Sequence, residues 1–174
     1  SEMCIRDSIY PVFQKAFKDQ GSLRAADYGH WTTENYTLDG DDRSAIAYSI
    51  PLILDDGTVY GVLGVEMLTE YLNIQMPYEE LQNQSAGTYM LAYTKSSLKD
   101  EEIVLENICG VSSKSSSMEQ DLESEKLKLQ KNSYGDYLLK LNGKKYYATL
   151  KPLQLYSRNA PFFDEQWVLI GTVE

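Results

Sequence analysis

The chain opens with apolar residues at helical spacing. Between residues 9 and 20 they follow an i, i+3, i+4, i+7, i+8 pattern. These residues are Ile9, Val12, Phe13, Ala16 and Phe17. The pattern predicts an amphipathic helix over 9–20, which Gly21 ends.

Strand signals follow in the first half of the chain. Residues 25–33, around Tyr28 and Trp31, predict a short strand, and Asp39-Gly40-Asp41-Asp42 predicts a turn. The sequence Asp55-Asp56-Gly57-Thr58 is a strong hairpin signal. It lies between two β-rich segments, 44–54 and 59–67, so we expect these segments to pair.

The second half combines helical segments with further strands. The predicted elements are a helical stretch over 69–84 with a second helix from Pro77, strands 89–94 and 103–109, a charged surface helix over 118–131, a hairpin of 137–141 and 144–156 around Asn142-Gly143, and a last strand over 166–173. Asn-Gly is a typical type I′ turn sequence, which makes this hairpin the clearest of the chain.

Hairpin-joined strands with helices between the groups predict an α+β fold with antiparallel sheets and flanking helices. We expect 44–54 to pair with 58–67, and 135–141 with 144–156, the latter also meeting 165–173. The two groups should form separate sheets, the first one smaller. An exposed sheet edge near 25–33 should then favour association.

Composition excludes several classes of function. The 174 residues carry a formal charge of −10, which argues against nucleic-acid and anionic-membrane partners. No apolar run is long enough to span a membrane. Two cysteines and one histidine, His30, leave little material for a zinc site or a catalytic triad, and no phosphate-binding glycine motif is present. We therefore expect no catalytic residues, no metal and no cofactor.

The first eight residues stand apart from the rest. Met3-Cys4-Ile5-Arg6-Asp7 resembles the translation of an adapter used to prepare sequencing libraries. We therefore expect residues 1–8 to be an artefact and exclude them from the fold. The alternative is a genuine helix start. If the segment is an artefact, Cys109 is the only native cysteine, and the chain is a fragment cut upstream.

Several ordered motifs resemble one family. They are Trp31, the segment Ala47-Tyr48-Ser49-Ile50-Pro51-Leu52, the Gly57 turn, the segment Gly61-Val62-Leu63-Gly64-Val65-Glu66, and the closing segments around Tyr146–Leu153 and Trp167–Gly171. Together they resemble the double Cache sensor domains of bacterial transmembrane receptors, whose modules are PAS-like. The resemblance implies a membrane-distal module, truncated at its start, over 9–85, and a membrane-proximal module over 86–174.

The resemblance also implies a site in the distal module. There an aromatic cage and an acid at the end of the Gly-Val strand hold a small ligand, often an amino acid or an amine. Carried over, Trp31 and Tyr48 are the cage and Glu66 is the acid. The alternative is that Trp31 and Tyr48 are core aromatics and Glu66 a surface residue.

A two-residue loop at Asp56-Gly57 would place Tyr48 opposite residue 65, one step from Glu66. The sequence alone does not decide whether the side chains of Tyr48 and Glu66 project to the same face of the sheet. We expect that they do, because the family places its acid there.

One departure bears on the ligand. Amino-acid-binding members carry an arginine just before the tryptophan, where this chain has Gly29 and His30. An α-amino acid is therefore in doubt, and neither Arg24 nor Arg43 lies in the motif. The aspartates at 39, 41 and 42 lack the rest of a calcium loop and favour a simple turn.

The resemblance implies a non-catalytic sensor on the extracellular or periplasmic face of a bacterial membrane. Its partners would be a small amine or amino-acid-like ligand, flanking membrane helices, a cytoplasmic output domain, and a second copy in a homodimer. Two alternatives remain from other classes. One is an enzyme fragment that uses Glu66 with Asp55 or Asp56, and the other is an interaction module without a ligand.

Overall fold

A computed structural model describes residues 2–37, 40–76, 87–113, 122 and 126–173, with side chains from residue 9 onward. The chain divides into two compact units. The first contains Ser1–Thr69 and Gln154–Asp164, and the second contains Glu70–Leu153 and Glu165–Glu174. The assignment of 9–85 and 86–174 to a distal and a proximal module stays a prediction.

The first unit is built from a helix and a small sheet. Its elements are α1 (Glu2–Lys18), a 3₁₀ helix (Ala25–Tyr28), β1 (His30–Trp31), β2 (Tyr36–Thr37), β3 (Ser44–Ile53) and β4 (Val59–Leu68). Strand β3 pairs with β4 along one edge and with both β1 and β2 along the other, and every pairing is antiparallel. The predicted pairing of 44–54 with 58–67 is therefore confirmed.

The turn between β3 and β4 explains why these strands pair. Leu54 N donates to Thr58 O at 2.9 Å, and Asp56 Oδ1 accepts from Thr58 N at 2.9 Å. Gly57 has a φ of 85°, a conformation that glycine adopts without steric cost. The local sequence thus closes the hairpin, as it predicts.

Helix α1 is amphipathic, as the apolar spacing predicts. Val12 and Ala16 are fully buried, whereas Phe17 is exposed. Gly21 N donates to Ala16 O at 2.9 Å, and Gly21 itself has a φ of 59°. Gln20, with a φ of 53°, is the first left-handed residue after the helix, and Gly21 follows it in the same conformation.

The strand predicted over 25–33 is mostly wrong. Residues 25–28 form the 3₁₀ helix, and only His30 and Trp31 are extended. Asp27 N donates to Arg24 O at 2.9 Å, and the Arg24 guanidinium binds the Asp27 carboxylate. This turn uses backbone groups that a strand would have given to the sheet.

The second unit is a closed six-stranded barrel, with helix α2 preceding its first strand. Its elements are α2 (Thr69–Gln75), β5 (Thr88–Thr94), β6 (Glu102–Ser113), β7 (Lys128–Lys131), β8 (Tyr137–Leu141), β9 (Lys144–Leu153) and β10 (Gln166–Val173). The strand order is β10-β5-β6-β7-β8-β9, closed by antiparallel pairing of β9 with β10. The two sheets are separate and the first is the smaller, as expected.

The Asn142-Gly143 hairpin joins β8 to β9 as predicted. Asn142 and Gly143 have φ values of 47° and 77°, which fits a type I′ turn. The predicted strand 144–156 ends at Leu153, because the chain then leaves the barrel for the first unit. The helix expected from Pro77 lies outside the described residues.

The helix predicted over 118–131 is wrong at its end, where β7 pairs with β6 and β8. Leu127 and Leu129 are both buried in the barrel core, and Lys128 between them is exposed. Alternation with a period of two is the strand pattern, and tertiary burial of these leucines decides the structure. Of residues 118–125 only Leu122, which is buried, is described.

The barrel interior is filled by apolar side chains. Those of the core cluster include Met90, Ile103, Leu105, Leu129, Leu139, Val168 and Ile170. These side chains form one apolar core, whose burial stabilises the barrel. No helix in the described part of the chain is long and apolar enough to cross a membrane.

We expect Leu129→Ala to lower the free energy of unfolding by about 2–5 kcal/mol, because it leaves a cavity in a filled core. Leu129 is fully buried, with 0% of its surface exposed. Urea unfolding would measure the change. Tyr134→Ala is the control in the same unit, since Tyr134 is 90% exposed. Equal stability of the two variants would contradict the assignment of β7 to the barrel.

Candidate ligand-binding site

The register of β3 and β4 decides which side chains can meet. Tyr48 pairs with Val65, and Ala47 pairs with Glu66. Directly paired residues project to the same face, and neighbours along a strand project to opposite faces. Tyr48 and Glu66 therefore lie on opposite faces, and the expectation that they share one is wrong.

A β-bulge between the turn and these residues could place Tyr48 and Glu66 on the same face. The bulge of this hairpin does not have that effect. The register shifts between Leu52 and Ile53, close to the turn. Pairing is regular from Ala45 to Leu52, which includes both predicted site residues on β3 and β4. The local twist near the turn thus leaves the faces of Tyr48 and Glu66 unchanged.

Trp31 and Tyr48 lie together on one face, here called the Trp31 face and defined by Trp31, Tyr48 and Val65. Trp31 pairs directly with Tyr48, and their ring centroids are 5.1 Å apart at an interplanar angle of 43°. Val65, opposite Tyr48, is exposed. The two predicted aromatics therefore do form a pair, but without Glu66.

The Tyr48 ring also explains the residue at position 29. A Cβ atom built on Gly29 would collide with Tyr48 Oη and would lie 3.1 Å from Ala26 O. Any side chain at position 29 would displace Tyr48. The arginine that amino-acid-binding Cache domains carry before the tryptophan therefore has no room at position 29.

Glu66 lies on the other face, here called the Glu66 face and defined by Tyr36, Ala47, Ser49, Gly64 and Glu66. Tyr36 pairs with Ala45, which alternation along β3 places on the side of Ala47 and Glu66. Tyr36 Oη donates a hydrogen bond to Glu66 Oε1 at 2.9 Å.

No sequence pattern marks Tyr36 as a ligand-binding residue. Its strand, β2, has only two residues, too few for a recognisable alternation pattern.

The Glu66 carboxylate makes no ion pair within the described part of the chain. The two arginines that flank β1 and β3 in sequence are engaged elsewhere. Arg24 binds Asp27, and Arg43 Nε binds Asp41 Oδ2 at 2.8 Å. Hydrogen bonds from Arg43 lower the pKa of Asp41 to about 2. The charge of Glu66 is thus balanced by no basic side chain that the structure describes.

Small residues line the centre of the Glu66 face. Ala45, Ala47 and Ser49 on β3 are buried, and Gly64 lies opposite Ser49. Helix α1 packs against this face, because a Cβ atom on Gly64 would lie 3.7 Å from Ile9 Cγ2. Small side chains thus allow the helix to approach the sheet closely.

A segment distant in sequence packs near the start of the sheet. It consists of residues 154–164, here called the strap, and belongs to the first unit. Trp31 N donates to Tyr156 Oη at 3.0 Å, and Ser157 Oγ donates to Asp27 Oδ1 at 2.9 Å. The strap thus covers the sheet edge at Trp31. This position belongs to the edge near residues 25–33 that was expected to be exposed.

The ring of His30 completes the contact with the strap. His30 pairs with Ser49 and so projects to the Glu66 face. Its ring centroid is 4.0 Å from that of Phe162 and 6.1 Å from that of Tyr156. His30 is therefore an aromatic packing residue between β1 and the strap.

The acids at the hairpin turn cannot act together with Glu66. Glu66 is eight residues along β4 from Thr58, which corresponds to about 26 Å of extended chain. Asp56 accepts from Thr58 N, which lowers the pKa of its carboxyl. The carboxylate pairs considered for an enzyme fragment are therefore too far apart to share a small substrate.

Of the aspartates at 39, 41 and 42, the structure describes Asp41 and Asp42. Asp41 is bound to Arg43, and Asp39 lies outside the described residues. Within the described ranges no group of three or more His, Cys, Asp or Glu side chains could hold a metal ion.

The chain matches no family model and no curated protein. Among solved structures, it is similar to the ligand-binding domain of the Pseudomonas aeruginosa amino acid chemoreceptor PctB in complex with L-Arg. The TM-score is 0.55 and the identity 13%, over 94% of this chain and 58% of that one. The chain thus spans less than two thirds of that domain.

Two further structures show weaker similarity. The Pseudomonas aeruginosa PctC ligand-binding domain in complex with GABA gives a TM-score of 0.48 at 18% identity, over 94% of this chain and 60% of that one. The periplasmic sensory domain of the Campylobacter jejuni chemoreceptor Tlp1 gives 0.43 at 12% identity, over 83% and 48%. The similarity to the PctB domain confirms the fold, an antiparallel α+β fold of the Cache type.

We expect Asp27→Asn to destabilise the chain at neutral pH more than in acid. Hydrogen bonds from Arg24 and then Ser157 lower the pKa of Asp27. A lowered folded-state pKa adds stability above the unfolded value of about 3.9, and this stability is lost as pH falls through the folded-state pKa. Urea unfolding at pH 7 and near pH 3 should therefore show a larger deficit of the variant at pH 7.

Asp55→Asn is the control, because Asp55 is an exposed carboxylate at the hairpin turn. Its unfolding free energy should match that of the parent chain at pH 7. An Asp27→Asn deficit that is equal at both pH values would show that the Arg24–Asp27–Ser157 contacts do not depend on the charge of Asp27.

Proposed function

We propose that the chain is the ligand-binding part of an extracytoplasmic sensor, and that it binds a small cationic amine on the Glu66 face. The sensor would belong to a bacterial membrane receptor, with flanking membrane helices and a cytoplasmic output domain in the full-length protein. Ligand binding would be reported to that domain, as in chemotaxis, without catalysis. A homodimer is part of the same proposal.

The observation that carries the proposal is the hydrogen bond from Tyr36 to Glu66. A carboxylate with no basic partner among the described residues favours a bound cation. The Tyr36 hydroxyl fixes one carboxylate oxygen and leaves the other, Oε2, for a ligand ammonium. The similarity in fold to the ligand-binding domain of PctB, described in complex with L-Arg, supports a small-molecule ligand.

The paired arginines favour an amine over an α-amino acid. A ligand carboxylate needs a cation, yet Arg24 and Arg43 already bind aspartates. Gly29 cannot be replaced by arginine while Tyr48 keeps its place. A primary amine therefore fits the charges of this site better than an amino acid does.

The predicted cage of Trp31 and Tyr48 cannot bind the same small ligand as Glu66. A small ligand cannot contact both faces of one sheet, since the backbone separates them. We therefore assign the acid, Glu66, together with Tyr36, to the amine site. A ligand-binding role for Trp31 and Tyr48 stays a prediction for the opposite face.

We expect Glu66→Gln to weaken the binding of butylamine by roughly 10- to 150-fold. The expected loss is that of a hydrogen bond to a charged group, about 1.5–3 kcal/mol. Isothermal titration calorimetry of the 174-residue chain would measure it. Tyr36→Phe should weaken binding less, because the carboxylate charge remains.

Two variants serve as controls. Asp55→Asn removes an exposed carboxylate at the turn and should leave butylamine affinity unchanged. Tyr48→Phe should also leave it unchanged, because Tyr48 faces away from Glu66. Loss of affinity in Tyr48→Phe with none in Glu66→Gln would place the ligand on the Trp31 face and contradict the proposal.

A further inference from the structure

Strand β4 has an open edge. It pairs with β3 along one edge, and no described strand pairs with it along the other. Residues 63–66 are all exposed, although they alternate between the two faces of the sheet. This part of β4 is therefore largely uncovered on both faces, and the backbone groups along its edge can bind a further strand.

The other strand edges that the structure describes are protected. On the far edge of the small sheet, β1 and β2 have only two residues each, and Trp31 N donates to Tyr156 Oη of the strap. The strands of the second unit close into a barrel. Where β6 extends past β7, Asn73 Oδ1 accepts from Val111 N at 2.7 Å. Among the described strands, β4 is thus the long one with an open edge.

The composition of β4 does not keep other strands away. Natural edge strands are usually protected by lysines, prolines, bulges or a short length. Segment 59–68 has ten residues, contains no lysine, arginine or proline, and carries Glu66 as its one charge. Its large apolar side chains Tyr60, Leu63 and Val65 are 61%, 55% and 58% exposed. Such an edge is expected to be covered by another strand in the functional protein.

We infer that the open edge of β4 is a dimer interface, and that β4 of a second copy pairs with it in antiparallel orientation. This inference rests on the homodimer of the proposed function and names its contact surface. A two-fold axis at Gly64, perpendicular to the sheet, places Leu63 of each copy opposite Val65 of the other. Because both copies use the same edge, the assembly closes at two chains.

The side chains of β4 are complementary to a second β4 in this register. On the Trp31 face, the apolar pair of Leu63 and Val65 forms twice, and such cross-strand pairs stabilise a sheet. On the Glu66 face, Glu66 of each copy lies opposite Val62 of the other. The two carboxylates are then four positions apart along the strands, about 13 Å, which exceeds the screening length in physiological salt.

The position of the axis follows from the same strand. An axis at Glu66 would place the two carboxylates directly opposite each other, which is destabilising. An axis at Gly64 avoids this contact, and it leaves the bulge near the turn at the end of the paired segment.

The first test measures the oligomeric state of the 174-residue chain by sedimentation velocity over a concentration series. The parent chain should show a monomer–dimer equilibrium. Val65→Lys should raise the dissociation constant of the dimer about tenfold or more, because symmetry removes two apolar pairs and adds two charges at the edge.

Tyr147→Lys is the matched control. Tyr147 is 56% exposed, close to the value for Val65, and it lies on β9, which is paired along both edges. The variant changes the net charge by the same amount as Val65→Lys. It should leave the dissociation constant unchanged.

The second test locates the axis by cross-linking and does not depend on weakening the dimer. Gly64→Cys, in a Cys4→Ser background, should form a disulfide between copies on mild oxidation. Residues directly opposite each other in antiparallel strands have Cα atoms about 4.5–5.5 Å apart, within the range of a disulfide. The remaining Cys109 is buried, with 1% of its surface exposed.

Gly61→Cys in the same background is the control for the cross-link. The axis at Gly64 would separate position 61 of one copy from position 61 of the other by six residues, about 20 Å along the strands. No disulfide between copies should form. An added Cβ fits at both glycines, since its nearest neighbours lie at 3.5 Å.

Three outcomes would overturn the inference. One is a chain that stays monomeric throughout the series, and another is a series of open-ended oligomers. The third is a dimer that persists in Val65→Lys but dissociates in Phe17→Lys, because Phe17, 64% exposed, lies on α1. If butylamine still binds in a Glu66-dependent way in any of these cases, the interface is wrong and the amine site stands.

Discussion

The pairing register of β3 and β4 is the constraint on which the candidate site depends. The Asp55–Thr58 turn fixes it, and regular pairing from Ala45 to Leu52 then assigns each side chain to one face. A slip of one residue would exchange the two faces completely. Glu66 would then lie beside Tyr48 and Trp31, and Tyr36 would lose its hydrogen bond to the carboxylate.

The same register gives the two faces different chemistry. The Glu66 face combines a carboxylate and two hydroxyl-bearing residues, Tyr36 and Ser49, with small residues that let α1 approach. The Trp31 face presents Trp31, Tyr48 and exposed apolar side chains on β4, Leu63 and Val65. A cationic ligand gains from a fixed carboxylate acceptor, and the Glu66 face provides one that Tyr36 holds by a hydrogen bond.

Local signals predicted much of the fold. The α1 stripe, the turns at Gly57 and Asn142-Gly143, and the strands beside them all follow from short-range sequence patterns, as does the antiparallel α+β class. The same signals failed where burial decided the structure. Leu129 lies in strand β7 and Leu127 directly before it, because the barrel buries both, and their charged neighbours gave the segment a helical appearance.

The candidate site was only half predictable for the same reason. Glu66 could be named only through the resemblance, from its place after the Gly-Val segment 61–65. Tyr36 could not, because its role depends on a two-residue strand and a pairing that no local pattern announces. A two-residue loop at Asp56-Gly57 already predicts that Tyr48 lies opposite residue 65, one position from Glu66. The structure has this register, without a bulge near either residue.

The contacts of the strap could not be predicted from local sequence patterns, since residues 154–164 contact residues more than a hundred positions earlier. Its contacts are with Asp27, His30 and Trp31, which lie in one short stretch at the start of the sheet. A shift of that stretch must change the strap contacts. The strap continues at one end from β9 and at the other into β10, and these strands are paired from Leu153 and Trp167 onward. Because this link is covalent, it joins the sheet that carries Glu66 to two paired strands of the barrel.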